Sequence, residues 1–365
     1  MKTIAVLSGK GGSGKTSLSL CMANLLAASG IKTLLVDCDF STNGATYFFE
    51  DILRSEDNFT SLQNLVGNET SIGKIINIKK KFDFIPSVTK IEGVVVEPLP
   101  QSKPFLSYVE KIFSKYDVVI FDCQAGYSSI LSSILTIVDQ TLFVMEADAI
   151  SSASIRSLHL KIGHLLTSKS YQVFNKVTSD EYEIYNKLSG GTLFTNIESV
   201  LFDWTIRKAF ALSTIPDIEN VDSRFWEQII NICKVMFVEQ EFQDKIKNFS
   251  KNLFSKKIKK EQDALKMELH YLQEKRAKQR RLFLMITAPA YTFVVFVAIF
   301  FLMFDDKTKL LGFFDSKSML IFALTLSSVI LSFFSAWLSK QKKENRMPYI
   351  KRKLADLSII AEKYK

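Results

Sequence analysis

Two lysines stand among four glycines in SGKGGSGKTS, residues 8–17. Gly9 to Thr16 fits GxxxxGK[ST], a loop whose glycines let backbone N–H groups wrap a phosphate. The match follows an apolar stretch of strand character and opens a helical one, which is the context that gives the pattern meaning. A helix N-terminus adds partial positive charge for the anion. On this reading Gly11, Gly12, Ser13, Gly14, Lys15, Thr16 and Ser17 bind a nucleotide's phosphates. Lys15 reaches the β- and γ-phosphates and Thr16 ligates Mg²⁺. The bare pattern gives Lys10 nothing to do.

Carboxylates complete the set. VVIFDC (118–123) reads as a buried strand ending in Asp122, placed to bond the Mg²⁺ shell. DCD (37–39) closes another such strand. Two acids beside a phosphate repel it unless they face Mg²⁺ or a water, and an acid there can orient an attacking water. Three histidines and four scattered cysteines, with no CxxC pair, argue against a Cys/His metal site and a disulfide framework. The compartment expected is reduced and cytosol-facing. No basic n-region with a following apolar stretch opens the chain, so no secretory leader is expected.

Holding such a loop requires a sheet. TIAVLSG (3–9), KTLLVDCD (32–39), FDFIPS (82–87), YDVVIFDC (116–123), TLFVMEA (141–147) and YQVFNKV (171–177) read as strands. Several are continuous apolar runs, the pattern of strands buried on both faces. Helical stretches such as 15–29 and 151–166 lie between them. The alternation predicts an α/β fold with a doubly wound, mostly parallel sheet built from right-handed βαβ units.

The character changes from about residue 225. Residues 226–281 contain no Gly or Pro, and Ile258, Leu265, Leu269 and Leu272 fall at helical spacing. One long helix is expected, either a short coiled coil or a solvated amphipathic helix. Gln262 and Arg276 interrupt the apolar seam. Two uncharged apolar runs follow, 282–304 and 319–338, with 23 and 20 residues. About 20 apolar residues span a bilayer's hydrocarbon core. Pro289 in the first run is tolerated in a membrane helix. The flanks KRAKQRR (275–281) and KQKKENR (340–346) are basic and the linker 305–318 is nearly neutral. The positive-inside rule then places both flanks, and both termini, on the cytoplasmic side.

The organisation expected is a nucleotide domain at 1–240, a basic helical stalk at 241–281, a transmembrane hairpin at 282–338 and a basic tail at 339–365. Formal charge is +9. It is concentrated in 244–281, roughly +8, and 339–365, roughly +6, which leaves 1–243 near about −5. That distribution favours anionic lipid over nucleic acid as the basic region's partner.

KGGSGKT (10–16) resembles the deviant Walker A motif, KGGxGKT, of the ParA/MinD ATPases. The resemblance covers roughly residues 1–235. It takes in the DxD segment, the FDFIPS, YDVVIFD and VFNKV strands, and WTIRKAFALSTIPDI (204–218), similar to the family's closing segment. It implies ATP and Mg²⁺ as ligands and a homodimer sandwiching two ATP. It implies that Lys10 is the signature lysine reaching the phosphates of the partner subunit. Asp39, 24 residues after Lys15, matches the water-orienting aspartate. Asp37 would join Asp122 and Thr16 around Mg²⁺. Asn175 matches the residue that reads the adenine edge, and Pro216 and Asp217 fall where the closing loop packs on the base. Two departures stand out. Cys123–Gln124–Ala125–Gly126 replaces the family's proline-containing loop, and FSTNGAT replaces PQGNAT after the DxD segment.

The function expected is a membrane-anchored ATP hydrolase, slow and stimulated by a protein partner. ATP-dependent dimerisation would position, assemble or regulate a membrane-associated complex. Transmembrane anchoring differs from the reversible amphipathic helix of MinD-like members, because such insertion is effectively permanent. Two alternatives stay open. One is an effector whose hairpin perturbs the bilayer on oligomerisation, with Thr325, Ser328, Ser332 and Ser335 on one helix face. The other is a DNA-partitioning ATPase, against which the acidic N-terminal charge weighs. A membrane tyrosine kinase of the polysaccharide-export type is discounted, since SIIAEKYK carries no tyrosine cluster.

Overall fold

A computed structural model describes residues 1–66, 73–89, 111–166, 169–181, 194–219, 223–303, 321–322, 325–329, 331–333, 335–337 and 346–363. The elements run β1 (Lys2–Leu7), α1 (Lys15–Ala28), β2 (Thr33–Cys38), α2 (Gly44–Phe48), α3 (Glu50–Leu53), α4 (Leu62–Val66), β3 (Ile76–Ile78) and β4 (Phe82–Ile85). Then come β5 (Val118–Cys123), α5 (Ser129–Leu135), β6 (Gln140–Glu146), α6 (Ala149–Ile162), β7 (Lys169–Val177) and β8 (Thr195–Leu201). The remaining helices are α7 (Trp204–Ala211), α8 (Ser223–Met236), α9 (Gln240–Met303) and α10 (Met347–Lys363).

Among the described residues eight strands form one sheet in the order β3-β4-β2-β5-β1-β6-β7-β8. Seven run parallel, and only β3 is antiparallel, to β4. The central strands β1, β2 and β5 are mostly apolar because helices cover both faces; every residue of β2 and β5 is buried, Asp37 and Asp122 included. Helix α1 is buried on most of its circumference, as a core helix must be. The strand order reverses beside β1, and ligands of open α/β sheets bind at that switch point, outside the strands' carboxyl ends.

Two strands were not expected from the sequence. β3 is three residues long and pairs on one side only, and β8 reads TNIESVL, an edge strand with polar positions. The expected continuous helix from 226 is also corrected. It breaks between Met236 and Gln240. The last carbonyls of α8 are taken by side chains: Met236 O accepts from Gln140 Nε2 at 2.8 Å, and Lys234 O from Gln243 Nε2 at 2.6 Å. With those carbonyls satisfied from outside, the helix terminates.

The chain divides into two units, Met1–Leu253 and Phe254–Lys365. In the first, the opening turns of α9 bury Phe242, Ile246, Ser250 and Leu253. In the second, α9 continues without a break through the first apolar run to Met303. This helix is long and apolar enough to cross a membrane, by length and composition. Its apolar turns expose Leu282, Leu284, Met285, Ile286, Phe293 and Phe296. Helix α10 pairs with α9 through Arg346–Glu268 at 3.4 Å and Lys353–Glu261 at 2.6 Å, and Ile350 is fully buried between these contacts. The rising number on one helix meets the falling number on the other, so the two are antiparallel. Further along, Phe283 stacks on Trp337 with centroids 4.8 Å apart. The linker 305–318, parts of the second apolar run and the flank at 339–345 lie outside the described residues.

Candidate nucleotide-binding site

The loop between β1 and α1 is shaped by glycine. Gly12 and Gly14 have φ of 80° and 90°, the left-handed region that an L side chain avoids. A Cβ on Gly14 would lie 2.2 Å from Asn175 Nδ2. Gly14 caps α1 without any side-chain bond. The N–H groups of the first helical turn therefore remain available to an anion. Lys15, at the first helical position, is only 7% exposed.

β2 and β5 are neighbours, in a register that sets Asp37 opposite Asp122. Asp37 accepts from Thr46 N at 2.8 Å, Thr46 Oγ1 at 2.7 Å and Asp39 N at 3.0 Å. Burial, then the nearby Asp122 charge, push its carboxyl up to about 7 against those hydrogen bonds. Asp122 accepts from Ser19 Oγ at 3.2 Å and from the Thr16 hydroxyl. Burial pushes it up to about 6, opposed by Lys15 and the two hydroxyls. Its other oxygen, Oδ2, is buried with no hydrogen-bond partner, as is Ser13 Oγ. An orphaned carboxylate oxygen beside a threonine hydroxyl, with a second buried carboxylate alongside, fits a hard cation that takes oxygen ligands.

Asp39 is placed differently. Its carboxylate accepts from Ser41 N at 3.0 Å, Thr42 N at 2.8 Å and Thr42 Oγ1 at 2.6 Å, all within its own loop. Gly126 adopts φ 79° and donates its N–H to Ser8 O at 2.8 Å, tying the loop after Asp122 to the start of the phosphate loop. Lys10, expected to reach a partner subunit, is held inside its own chain. Its ammonium lies 3.0 Å from both Glu146 and Asp148. Those two acids hold the lysine's pKa above its usual value. Asp148 also caps α6 through Ser151 N at 2.6 Å; that bond, with Lys10, holds it down at about 2. Glu146, although burial pushes it up, is held below the usual range by Lys176 and Lys10.

A cavity of about 440 Å³ opens beside the loop, lined among others by Gly14, Ser17, Asn175, Phe202, Asp203 and Phe210. Asn175 lines this cavity and donates Nδ2 to Ser13 O at 2.8 Å. Pro216 and Asp217 do not line this cavity. Pro216 O accepts from Asn24, well along α1, at 3.0 Å, and Asp217 accepts from Glu219 N at 3.0 Å. The residues that line it instead come from the β8–α7 junction. Asp203 caps α7 through Thr205 N and Ile206 N, and Phe210 packs on Phe48 of α2 with centroids 4.9 Å apart. The sequence reading included Ile206, Arg207 and Phe210 within the segment 204–218 but missed Phe202 and Asp203 before it, together with Glu146, Asp148 and Lys176. The acids of MEAD at a strand's C-terminal end were the available signal.

These features define a P-loop nucleotide-binding domain on a doubly wound sheet. Residues 1–174 match the AAA domain family profile. The septum site-determining protein MinD of Synechocystis sp. is 29% identical over 133 residues, 34% of this chain and 46% of that protein. A putative plasmid partition protein of Borrelia burgdorferi, solved with AMPPNP, shares the fold with a TM-score of 0.53 at 19% identity, over 64% of this chain and 98% of that one. MinD of Pyrococcus horikoshii, solved with Mg-ADP, does so with a TM-score of 0.53 at 18% identity, over 67% and 98%. The chain spans about half the length of the curated relatives it matches. Its N-terminal unit is thus similar in sequence and in fold to P-loop ATPases of the ParA/MinD type.

Proposed function

We propose that the chain is a membrane-anchored ATP hydrolase working as an ATP-dependent dimerisation switch. It would convert ATP and water to ADP and phosphate slowly, under control of a protein partner. The observation that carries this reading is the loop with two lysines of different fate. Lys15 is buried at the start of α1, and Lys10 is held outside the cradle by Glu146 and Asp148. Lys15 and the free N–H groups of α1 would hold the phosphates. Thr16, Asp122 and Asp37 would hold Mg²⁺, which when bound neutralises charge on the phosphate oxygens. Asn175 Oδ1 is left to accept from the base's amino group while Nδ2 stays on Ser13 O. Lys10 would leave its acids for the partner subunit's phosphates, making dimerisation depend on nucleotide. Asp39 would have to leave its loop bonds to orient a water.

The membrane part of the proposal is a hairpin in the inner, cytoplasmic membrane, with both termini cytoplasmic. It is supported by the antiparallel pairing of α10 on α9, which returns the chain to the side from which it left. Phe283 and Trp337 stack where the apolar runs meet the basic flanks, the level of an interfacial aromatic belt. The test is Lys10→Ala in the full chain, solubilised in detergent. Light scattering after size exclusion should show that ATP no longer produces a dimer. ATP-dependent dimers from the variant would sink the switch.

A further inference from the structure

Lys176 is wound into an unusual place. The β7–β8 register slips between Asn175 and Val177, and Lys176 sits at φ 61°, in the left-handed region disfavoured for its side chain. The irregularity turns its ammonium onto the phosphate loop. It donates to Gly12 O and pairs with Glu146 at 2.8 Å. Its neighbour Asn175 donates to Ser13 O at 2.8 Å. Two consecutive loop carbonyls are thus taken, from outside, by two consecutive residues of β7.

The consequence follows from peptide geometry. In a planar trans peptide the C=O and the following N–H point in opposite directions. Pinning the Gly12 and Ser13 carbonyls outward therefore turns the N–H groups of Ser13 and Gly14 the other way, into the loop's concave side. Glycine gives this loop little resistance to a peptide flip, since Gly12 tolerates either sign of φ. A flipped Gly12–Ser13 peptide would present a carbonyl oxygen to the phosphate and repel it.

We propose that Lys176 is a positioning residue: it holds the Gly12–Ser13 peptide in the anion-binding orientation, and accepts backbone strain to do so. The proposal rests on the nucleotide-binding reading above. It extends that reading to a residue that touches the loop rather than the phosphate.

The test measures binding of Mg–ATP and of Mg–tripolyphosphate, which has no base, to the full chain in detergent by calorimetry. Lys176→Met and Lys176→Gly should each weaken both ligands by about tenfold, the usual effect of losing a charged hydrogen-bond donor. Lys176→Arg, which keeps a charged donor, should restore most of the affinity. KM for ATP should rise with kcat at saturation little changed. Lys176→Gly should melt no lower than the parent, because glycine accepts the left-handed backbone. Weakened ATP with unchanged tripolyphosphate would make Lys176 a base-packing residue and overturn the proposal. Unchanged affinity for both ligands would also overturn it. If the parent chain itself binds neither ligand, the nucleotide reading falls first.

Discussion

The ammonium of Lys10 lies 3.0 Å from Oε2 of Glu146 in the same chain, and Glu146 holds Lys176 with its other oxygen. One carboxylate at the end of β6 therefore restrains two lysines that both belong to the phosphate loop's surroundings. For Lys10 to serve a partner subunit, this ion pair must open first. Both side chains are near one-third exposed, so the restraint is modest. Glu146→Gln should lower the ATP concentration that gives half-maximal dimer, by up to about fivefold. Sedimentation velocity across an ATP titration checks it, and an unchanged or raised midpoint would show that the pair does not hold the switch open.

Asp37 and Asp122 make the site sensitive to pH. Both carboxyls are raised from 3.8, to about 7 and about 6. Raised carboxyls favour the folded state when protonated. Their contribution is fully present below pH 3.8 and is lost as pH rises through 6 and then 7. Without nucleotide, the melting temperature of the nucleotide-binding unit should fall as pH rises from about 4 to about 7 and level off above that. In the proposed site Mg²⁺ would take the ionised carboxylates, so its binding would displace protons. Affinity for Mg–ATP should then weaken as pH falls below about 7, by up to about tenfold per unit for one displaced proton. Measuring the same titration with ATP and EDTA isolates the effect. An equal pH slope without Mg²⁺ would mean that the carboxylates do not face the metal.

Gly14 combines a left-handed backbone with contact against Asn175. Gly14→Ala should lose roughly 1–2 kcal/mol from the backbone alone. Its Cβ would also push Asn175 off Ser13 O. Thermal melting with and without ATP checks both effects. The expected result is a lower melting point and no upward shift on adding ATP. A variant stabilised by ATP as much as the parent would show that the loop tolerates a side chain there.

Much of this architecture was legible because the signals were local. The P-loop pattern, the apolar strands and the acids at their C-terminal ends each lie within a few residues, and β2, β5 and β6 fall where their apolar runs predict. What was missed depends on contacts distant in sequence. β8 carries Glu198 and Asn196, which a central strand would not, because it lies at the sheet's edge. The end of α8 is set by Gln140, 96 residues away, and the acids that hold Lys10 lie 136 and 138 residues from it. The cavity beside Gly14 shows the same limit. Pro216 and Asp217 do not line it, whereas Phe202 and Asp203, at the end of β8, line it with Gly14.

The hairpin makes the final prediction. Ion pairs 268–346 and 261–353 and the ring pair 283–337 each join the chain before residue 305 to the chain after residue 318. In the proposed hairpin the chain would cross the membrane twice and put the linker outside. All four native cysteines are buried, so an introduced thiol can be labelled against a low background. In intact cells Ser316→Cys should react with a membrane-impermeant maleimide, and Lys363→Cys should react only after permeabilisation. Labelling of both sites in intact cells, or of neither until permeabilisation, would rule out two crossings. A bilayer-spanning hairpin would also fix where the proposed dimerisation happens. Lys10 could then meet only a partner anchored in the same membrane, so diluting the chain across vesicles to less than about one copy each should suppress ATP turnover that depends on Lys10.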